Sequence, residues 1–270
     1  MNDVSAMVVT LNEEENIENC LETLEWCDEI IIVDGYSNDQ TVSLAKEYTN
    51  KVYMDEPAGY GDPARKIAIE EASNEWICML DADEMIPKKL ANRLERLAKN
   101  SEADVIYAPR MNFSLGEWID NAGFWPDYRP ILFRKKQANL SDDVHDFINF
   151  DEETASIKME QDPDIAIRHF NHTNLHDKID RINKYTTIES EQIEYTNWGM
   201  VSRSILEFVN RYFIQTGFRS GVTGLILSIL QAWYVFLSYL KAREAHVVGS
   251  EEDINAKYDH EKQKVLQDWS

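Results

Sequence analysis

The run Ile77-Cys78-Met79-Leu80-Asp81-Ala82-Asp83-Glu84 constrains this chain most. An apolar stretch that reads as a buried strand stops abruptly at two aspartates one residue apart. Side chains at i and i+2 of a strand point the same way, so Asp81 and Asp83 are expected to aim their oxygens at one point just past the strand end. Hard oxygen ligands suit Mg²⁺ or Mn²⁺, ions that take one or two protein carboxylates and complete their shell with substrate phosphates. A metal-bound diphosphate would be the natural occupant. The spacing alone is also open to a solvated acidic loop, since the chain is acidic throughout.

The residues around that run favour the first reading. Val4–Thr10 is a short apolar strand, and Ile17, Cys20, Leu21 and Leu24 then recur at helical spacing. Asn12 with Glu15 three residues on has the form of a capping box for that helix. A second apolar strand over 29–33 ends at Asp34-Gly35, and Ser37 or Asp39 is placed to cap a helix through Val42, Leu44 and Ala45. A strand over 51–54, a helix over 64–72 and a strand over 75–80 follow, and Pro87 opens the next helix. Alternation of this density predicts a doubly wound, mostly parallel sheet, whose ligands bind beyond the carboxyl ends of the strands. Thr10, Asn12 and Glu13, then Asp34, then Asp81 and Asp83 all fall at that one edge. Asp34 before Gly35 could equally be a turn residue; its strand-end position favours a role in binding.

Composition removes several classes of protein. A hydrophobic fraction of 43% over 270 residues is incompatible with a disordered chain and allows one large or two small domains. A net charge of −22 argues against nucleic acid as a partner, because phosphate backbones need a basic face. Such acidity matches a protein kept in high-salt cytoplasm, where salt screens self-repulsion. Cys20, Cys27 and Cys78 are odd in number and form no Cys-x-x-Cys pair, so reduced packing thiols in a cytosolic protein are expected. The sequence enters its first strand without a signal peptide.

Several ordered motifs resemble those of glycosyltransferase family 2, the inverting enzymes of the GT-A fold. They are Val8-Val9-Thr10-Leu11-Asn12-Glu13-Glu14, Ile31-Ile32-Val33-Asp34-Gly35-Tyr36-Ser37-Asn38-Asp39-Gln40-Thr41, and Ala64-Arg65 followed by the run into Glu84. Further along, Asn112-Phe113-Ser114-Leu115-Gly116-Glu117-Trp118-Ile119, Trp125-Pro126-Asp127-Tyr128, Leu132-Phe133-Arg134, Ser141-Asp142-Asp143-Val144-His145-Asp146, Arg181-Ile182-Asn183-Lys184-Tyr185 and the segment 217–241 resemble a bacterial subgroup. That subgroup is the lipooligosaccharide core β-1,4-glucosyltransferases, and the likeness reaches to about residue 244. It implies a Rossmann-like α/β fold, a mostly parallel central sheet flanked by helices, with a helical C-terminal extension.

The resemblance also implies roles. Thr10, Asn12 and Glu13 would line the nucleoside pocket, Asp34 would meet the uracil or ribose, and Arg65 the base or diphosphate. Asp83, with Asp81 and a late His169, would hold Mn²⁺ or Mg²⁺. Asp146 would be the general base, with Asp143 and Asp142 as alternatives; His145 would lie near the acceptor or the metal. Asp127 would take a sugar hydroxyl, with Trp125 and Tyr128 as stacking faces. The chain departs from the family pattern at Lys66, where Asn is usual, and at Ile131, where Arg is usual and Arg129 is nearby. A sugar-phosphate nucleotidyltransferase shares this layout but carries a Gly-rich signature after its first strand, and residues 10–16 contain no glycine. A non-catalytic membrane scaffold would not need Asp81, Asp83 and Arg65 together.

The last third changes character. Residues 198–243 hold five basic residues and one acidic, and 221–240 carries no charge over twenty residues, enough on paper to span a bilayer. Gly224, Ser228, Gln231 and Ser238 fall near one helical face, with apolar residues around the rest. A helix lying in the membrane interface is expected, with a core or oligomer-interface helix as the other option. The expected organisation is a catalytic domain over 1–197, with a nucleotide-sugar half near 1–108 and an acceptor half near 109–197. A membrane-associating extension over 198–248 and a polar tail over 249–270 would follow. The expected partners are a nucleoside-diphosphate sugar donor, a lipid-linked or cell-surface glycan acceptor, the cytoplasmic face of the membrane and, in addition, a second copy of the chain.

Overall fold

Every residue of Val4–Thr10 (β1) except Val9 is buried, so this strand is covered on both faces, as the centre of a parallel sheet must be. The computed structural model describes residues 3–56, 62–140, 148–172, 174–249 and 251–269. β1 lies between Glu29–Asp34 (β2) and the later strand Trp76–Asp81, parallel to both, and Val52–Met54 (β3) adds to the outer edge of β2. Trp76–Asp81 is β4; Glu84–Met85 (β5), Val105–Ser114 (β6), Glu117–Trp118 (β7) and Asp127–Arg134 (β8) follow it. Asn139–Leu140 (β9) and Ile148–Asn149 (β10) form a separate ribbon, and Ser156–Lys158 (β11) and Ile167–His172 (β12) return to the main sheet. Among the described residues the sheet runs β3-β2-β1-β4-β8-β6-β12-β5, with β7 and β11 also paired to β6. β8 runs against both β4 and β6, so a mostly parallel sheet carries one reversed strand at its middle.

The helices Ile17–Glu22 (α1), Thr41–Tyr48 (α2), Asp62–Glu71 (α3) and Lys88–Asn100 (α4) divide between the two faces. Ile17, Leu21, Leu90 and Leu94 pack with Val8 and Leu80 on one side. Ala68 and Ile69 pack with Met7, Ile31, Ile77 and Phe133 on the other. Doubly wound packing was legible in the sequence; the capping of α1 was not. α1 starts after Asn16, which makes no side-chain cap, and the expected Asn12–Glu15 box does not form. Asn12 is instead in the left-handed region at φ 55°, a conformation Asn tolerates, with its Oδ1 accepting from the Asn38 amide at 2.9 Å. Asp39 does take the Thr41 amide at the start of α2. All three cysteines are free thiols.

The chain divides into two compact units, Met1–Thr173 and Asn174–Ser270. The division falls before residue 197, where the sequence suggested it, because Leu175–Ser190 (α5) packs along Gly221–Arg243 (α7). Ser238 Oγ donates to Glu189 Oε2 at 2.9 Å, and Lys241 Nζ donates to Asn183 Oδ1 at 2.8 Å and Thr187 Oγ1 at 2.6 Å. Asn197–Val209 (α6) and Glu251–Gln267 (α8) complete this unit. A turn over 215–220 brings the start of α7 onto Gly217 so closely that a Cβ at Gly224 would lie 1.9 Å from the Gly217 carbonyl oxygen. Only glycine fits there.

At the amino edge of the sheet, away from the strand ends that carry the acidic motifs, Glu29 ties the unit together. It accepts from the Ser73 amide and Ser73 Oγ, both at 2.9 Å, and pairs with Ser5 Oγ and Lys51. Burial pushes its carboxyl up, but these donors outweigh it and hold the group at about 2 against an ordinary 4.5. A depressed acid contributes stability that is fully present above its unfolded value and lost as pH falls toward the folded one. Glu29→Gln should therefore lower stability by about 1–2 kcal/mol near neutrality after solvent screening. Chemical denaturation of both proteins should show that difference shrinking between pH 4.5 and pH 2.

Candidate active site

Three strand ends meet at the carboxyl edge. Thr10 is in register with Asp34, and Val9 with Asp81, so β1 sits between the two acidic motifs. The loops after β1 and β2 are laced together: the Asn12 amide donates to Ser37 Oγ at 2.7 Å and the Glu13 amide to Thr41 Oγ1 at 2.8 Å. Asp34 is fully buried and accepts from both the amide and the hydroxyl of Ser37. It therefore shapes the floor of this pocket while holding the loop. Thr10 Oγ1 is buried with no hydrogen-bond partner among the described residues, a polar atom left for a ligand to satisfy.

The two aspartates separate. β4 ends at Asp81 and the chain turns through Ala82 and Asp83 before β5, so the pair do not share one strand face as the i, i+2 spacing suggested. Asp81, its side chain 40% exposed, accepts from Arg65 Nη2 at 2.9 Å. Asp83 is buried, with its Oδ2 3.3 Å from His169 Nε2. Burial pushes the Asp81 carboxyl up, yet the charges of Arg65 and Arg110 prevail and hold it below the usual carboxylate range. Among the described residues no group of three His, Cys, Asp or Glu side chains is gathered as a metal cage. One carboxylate and one imidazole beside a cleft do fit a Mg²⁺ or Mn²⁺ that draws its remaining ligands from a diphosphate and water.

Behind this pair lies a polar network that sequence reasoning missed. Arg110, buried on β6, donates through Nη1 to Glu84 Oε1 at 2.9 Å, and through Nη2 and Nε to Asp127 Oδ2 at 2.6 and 2.8 Å. Burial and the neighbouring Asp81 push the Glu84 carboxyl up. For Asp127 burial acts the same way, but Arg110 and Arg129 outweigh it and hold the acid low. Asn112, two residues along β6, donates through Nδ2 to the Phe124 carbonyl at 3.0 Å and to Asp127 Oδ2 at 3.2 Å. Its Oδ1 lies 2.7 Å from His169 Nδ1. The available signal was an Arg and an Asn inside an otherwise apolar strand, since buried polar groups need partners.

Asp127 is thus anchored by protein partners rather than open for a sugar alone. Trp125 stands edge-on to Trp118 with ring centroids 5.6 Å apart. Tyr128 donates to the Met159 carbonyl at 2.9 Å and has Lys158 Nζ 3.9 Å from its ring centroid, so one face of the ring is occupied. Asp142, Asp143, His145 and Asp146 lie outside the described residues.

The polar strand ends of a doubly wound sheet are the usual place for a ligand in such folds, and residues 5–154 match the model of Glycosyl transferase family 2. The chain belongs to that family and is a glycosyltransferase of the GT-A fold. It is 27% identical to the lipopolysaccharide core biosynthesis glycosyltransferase LpsC of Rhizobium meliloti, across 95% of this chain and 98% of LpsC. The crystal structure of residues 1–349 of S. aureus TarS with UDP is 14% identical, covers 92% of each chain and gives a TM-score of 0.45. That of M. tuberculosis glucosyl-3-phosphoglycerate synthase with Mg²⁺ and UDP is 15% identical over 68% of this chain and 78% of that one, with a TM-score of 0.44.

Removing one partner of a buried ion pair leaves a charge uncompensated. Arg110→Met would leave Glu84 and Asp127 facing each other in the core, and urea denaturation at neutral pH should show a loss of about 3–5 kcal/mol.

Proposed function

We propose that this protein transfers a hexose from a uridine diphosphate sugar, with inversion, to a lipid-linked or cell-surface glycan at the cytoplasmic face of a membrane. The observation that carries the reading is the Asp83–His169 pair standing at the same strand edge as Arg65, Thr10 and Asp34. The likeness to a lipopolysaccharide core enzyme supports the acceptor class.

Thr10, Asn12, Glu13 and Asp34 would seat the nucleoside. Arg65, oriented by Asp81, would offset diphosphate charge in a chain whose net charge of −22 repels it. Asp83 and His169, with Asp81 nearby, would hold Mn²⁺ or Mg²⁺, which when bound supplies positive charge to the departing nucleoside diphosphate. Asp146, or failing it Asp143 or Asp142, would take the proton of the acceptor hydroxyl as its oxygen bonds the anomeric carbon and the bond to diphosphate breaks. Trp125, Asp127 and His145 would position the acceptor. With UDP-glucose as donor and UDP release as the readout, Asp83→Ala should abolish turnover and metal-enhanced UDP binding. Asp146→Asn should slow turnover by roughly 10²–10⁴-fold with UDP affinity unchanged. Full activity of Asp83→Ala, or of wild type in chelator, would sink the metal reading.

The helical unit supports the membrane part of the proposal. Among the described residues the continuous helical stretch Gly217–Val247 is long and apolar enough to cross a bilayer. In α7 the small residues Gly224, Ser228 and Ser238 face inward, while Val222, Ile229 and Trp233 face out. α6 buries none of its residues, and Trp198, Val201, Ile205 and Val209 form an exposed apolar stripe at helical spacing. A water-facing surface has the opposite pattern, whereas helices in lipid pack through small residues. An anionic bilayer surface suits this patch, because residues 198–243 carry five cations against one acid in an otherwise acidic chain. Two of the cations expected to meet headgroups are already engaged: Arg211 with Glu207 and Lys241 with α5. That leaves Arg219 and Arg243 for the lipid, each worth about 1 kcal/mol.

Flotation with vesicles of phosphatidylglycerol and phosphatidylcholine should recover the protein in the lipid fraction. Ile205→Asp with Ile214→Asp, the latter exposed in the turn of helix that follows α6, should release it, and Arg219→Gln with Arg243→Gln should weaken binding to anionic vesicles and blunt its dependence on the anionic fraction. A protein that never floats, and instead buries this surface in a discrete dimer, would overturn the membrane assignment.

A further inference from the structure

Asn112 has no role in the seating of donor or acceptor described above, yet it touches the candidate metal ligand directly. Its orientation is set by chemistry. The two neighbours on its Nδ2 side, the Phe124 carbonyl and the Asp127 carboxylate, are acceptors only, so the amide nitrogen must face them. The amide oxygen is then the atom 2.7 Å from His169 Nδ1. An amide oxygen cannot donate, so Nδ1 must carry a proton to make that bond. A neutral imidazole with its proton on Nδ1 has a bare lone pair on Nε2. In that form the lone pair would face Asp83 Oδ2 across the observed 3.3 Å, two acceptors set against one another. Such a pair is stabilised by a cation held by both.

Register makes the arrangement rigid. His169 is opposite Asn112 on one side of β12 and opposite Glu84 on the other, so the imidazole is fixed between β6 and β5. Asn112 is in turn fixed by Asp127, which Arg110 anchors. We propose that Asn112 is a positioning residue that locks the Nδ1–H tautomer of His169, so that Nε2 and the Asp83 carboxylate together present lone pairs to a divalent cation. This rests on the metal reading given above and assigns to Asn112 a part in it. The carboxylate, carbonyl or water that usually orients a metal-binding histidine is replaced here by a side-chain amide.

The first measurement needs neither metal nor variant. Long-range ¹H–¹⁵N spectra of imidazole-labelled wild-type protein, free of metal at pH 8.5, should show His169 as the Nδ1–H tautomer. An Nε2–H tautomer, or an imidazolium protonated on both nitrogens, would overturn the proposal. The second measurement titrates Mn²⁺ by electron paramagnetic resonance in the presence of UDP. Asn112→Ala should weaken Mn²⁺ binding by roughly 10–100-fold, with thermal melting used to verify the fold. Asn112→Asp, which keeps an acceptor for Nδ1, should retain the tautomer and bind at least as tightly as wild type to within a few-fold. Wild-type affinity in the alanine variant, or equal losses in both variants, would show that the amide only holds the Phe124 loop. If wild-type protein binds no Mn²⁺ with UDP present, the metal reading itself falls and the purpose assigned to Asn112 falls with it. The tautomer spectrum separates that failure from a wrong account of the Asn112–His169 bond.

Discussion

Arg110 carries its charge into the middle of a buried strand, where water cannot neutralise it, so counter-charges must come from wherever the fold can bring them. They come from Glu84, at the start of β5, and from Asp127, at the start of β8. Satisfying one guanidinium therefore fixes three segments that are distant in sequence. Asn112 adds to the same cluster and passes the constraint to His169, which in turn faces Asp83. The lip of the site is held from below. Asp83 and His169 are thereby held in place by the fold itself.

A chain of net charge −22 repels anions in general. Arg65, Arg110 and Arg129 are concentrated near this one edge, and each is paired with a carboxylate that orients it. Three guanidiniums are thus fixed among the carboxylates of Asp81, Glu84 and Asp127 rather than left as free positive charge.

In the helical unit the longest helix buries Gly224, Ser228 and Ser238 beside Leu227, Tyr239 and Ala242, and leaves Val222, Ile229 and Trp233 exposed. In water the exposed apolar residues gain nothing from helix packing. Close approach at Gly224 and hydrogen bonds from Ser238 and Lys241 to α5 add to what the buried apolar residues supply. The α6 stripe is less legible in the sequence than the uncharged run of α7 because Arg203 and Glu207 interrupt it.

Sequence alone determined the strand–helix alternation, the doubly wound parallel sheet and the convergence of Thr10, Asp34 and Asp81 at one edge. Those follow from local periodicity and from where each apolar run stops, and both are written along the chain. Which carboxylate faces which partner was not legible. A period of two placed Asp81 and Asp83 together, but β4 ends at Asp81, and the turn sends one carboxylate to Arg65 and the other to His169. Arg110, Glu84 and Asn112 went unassigned because a buried polar residue acquires meaning only from the group across the sheet. Strand order supplies that group: β8 and β12 flank β6, and no spacing within any one segment encodes which strands become neighbours.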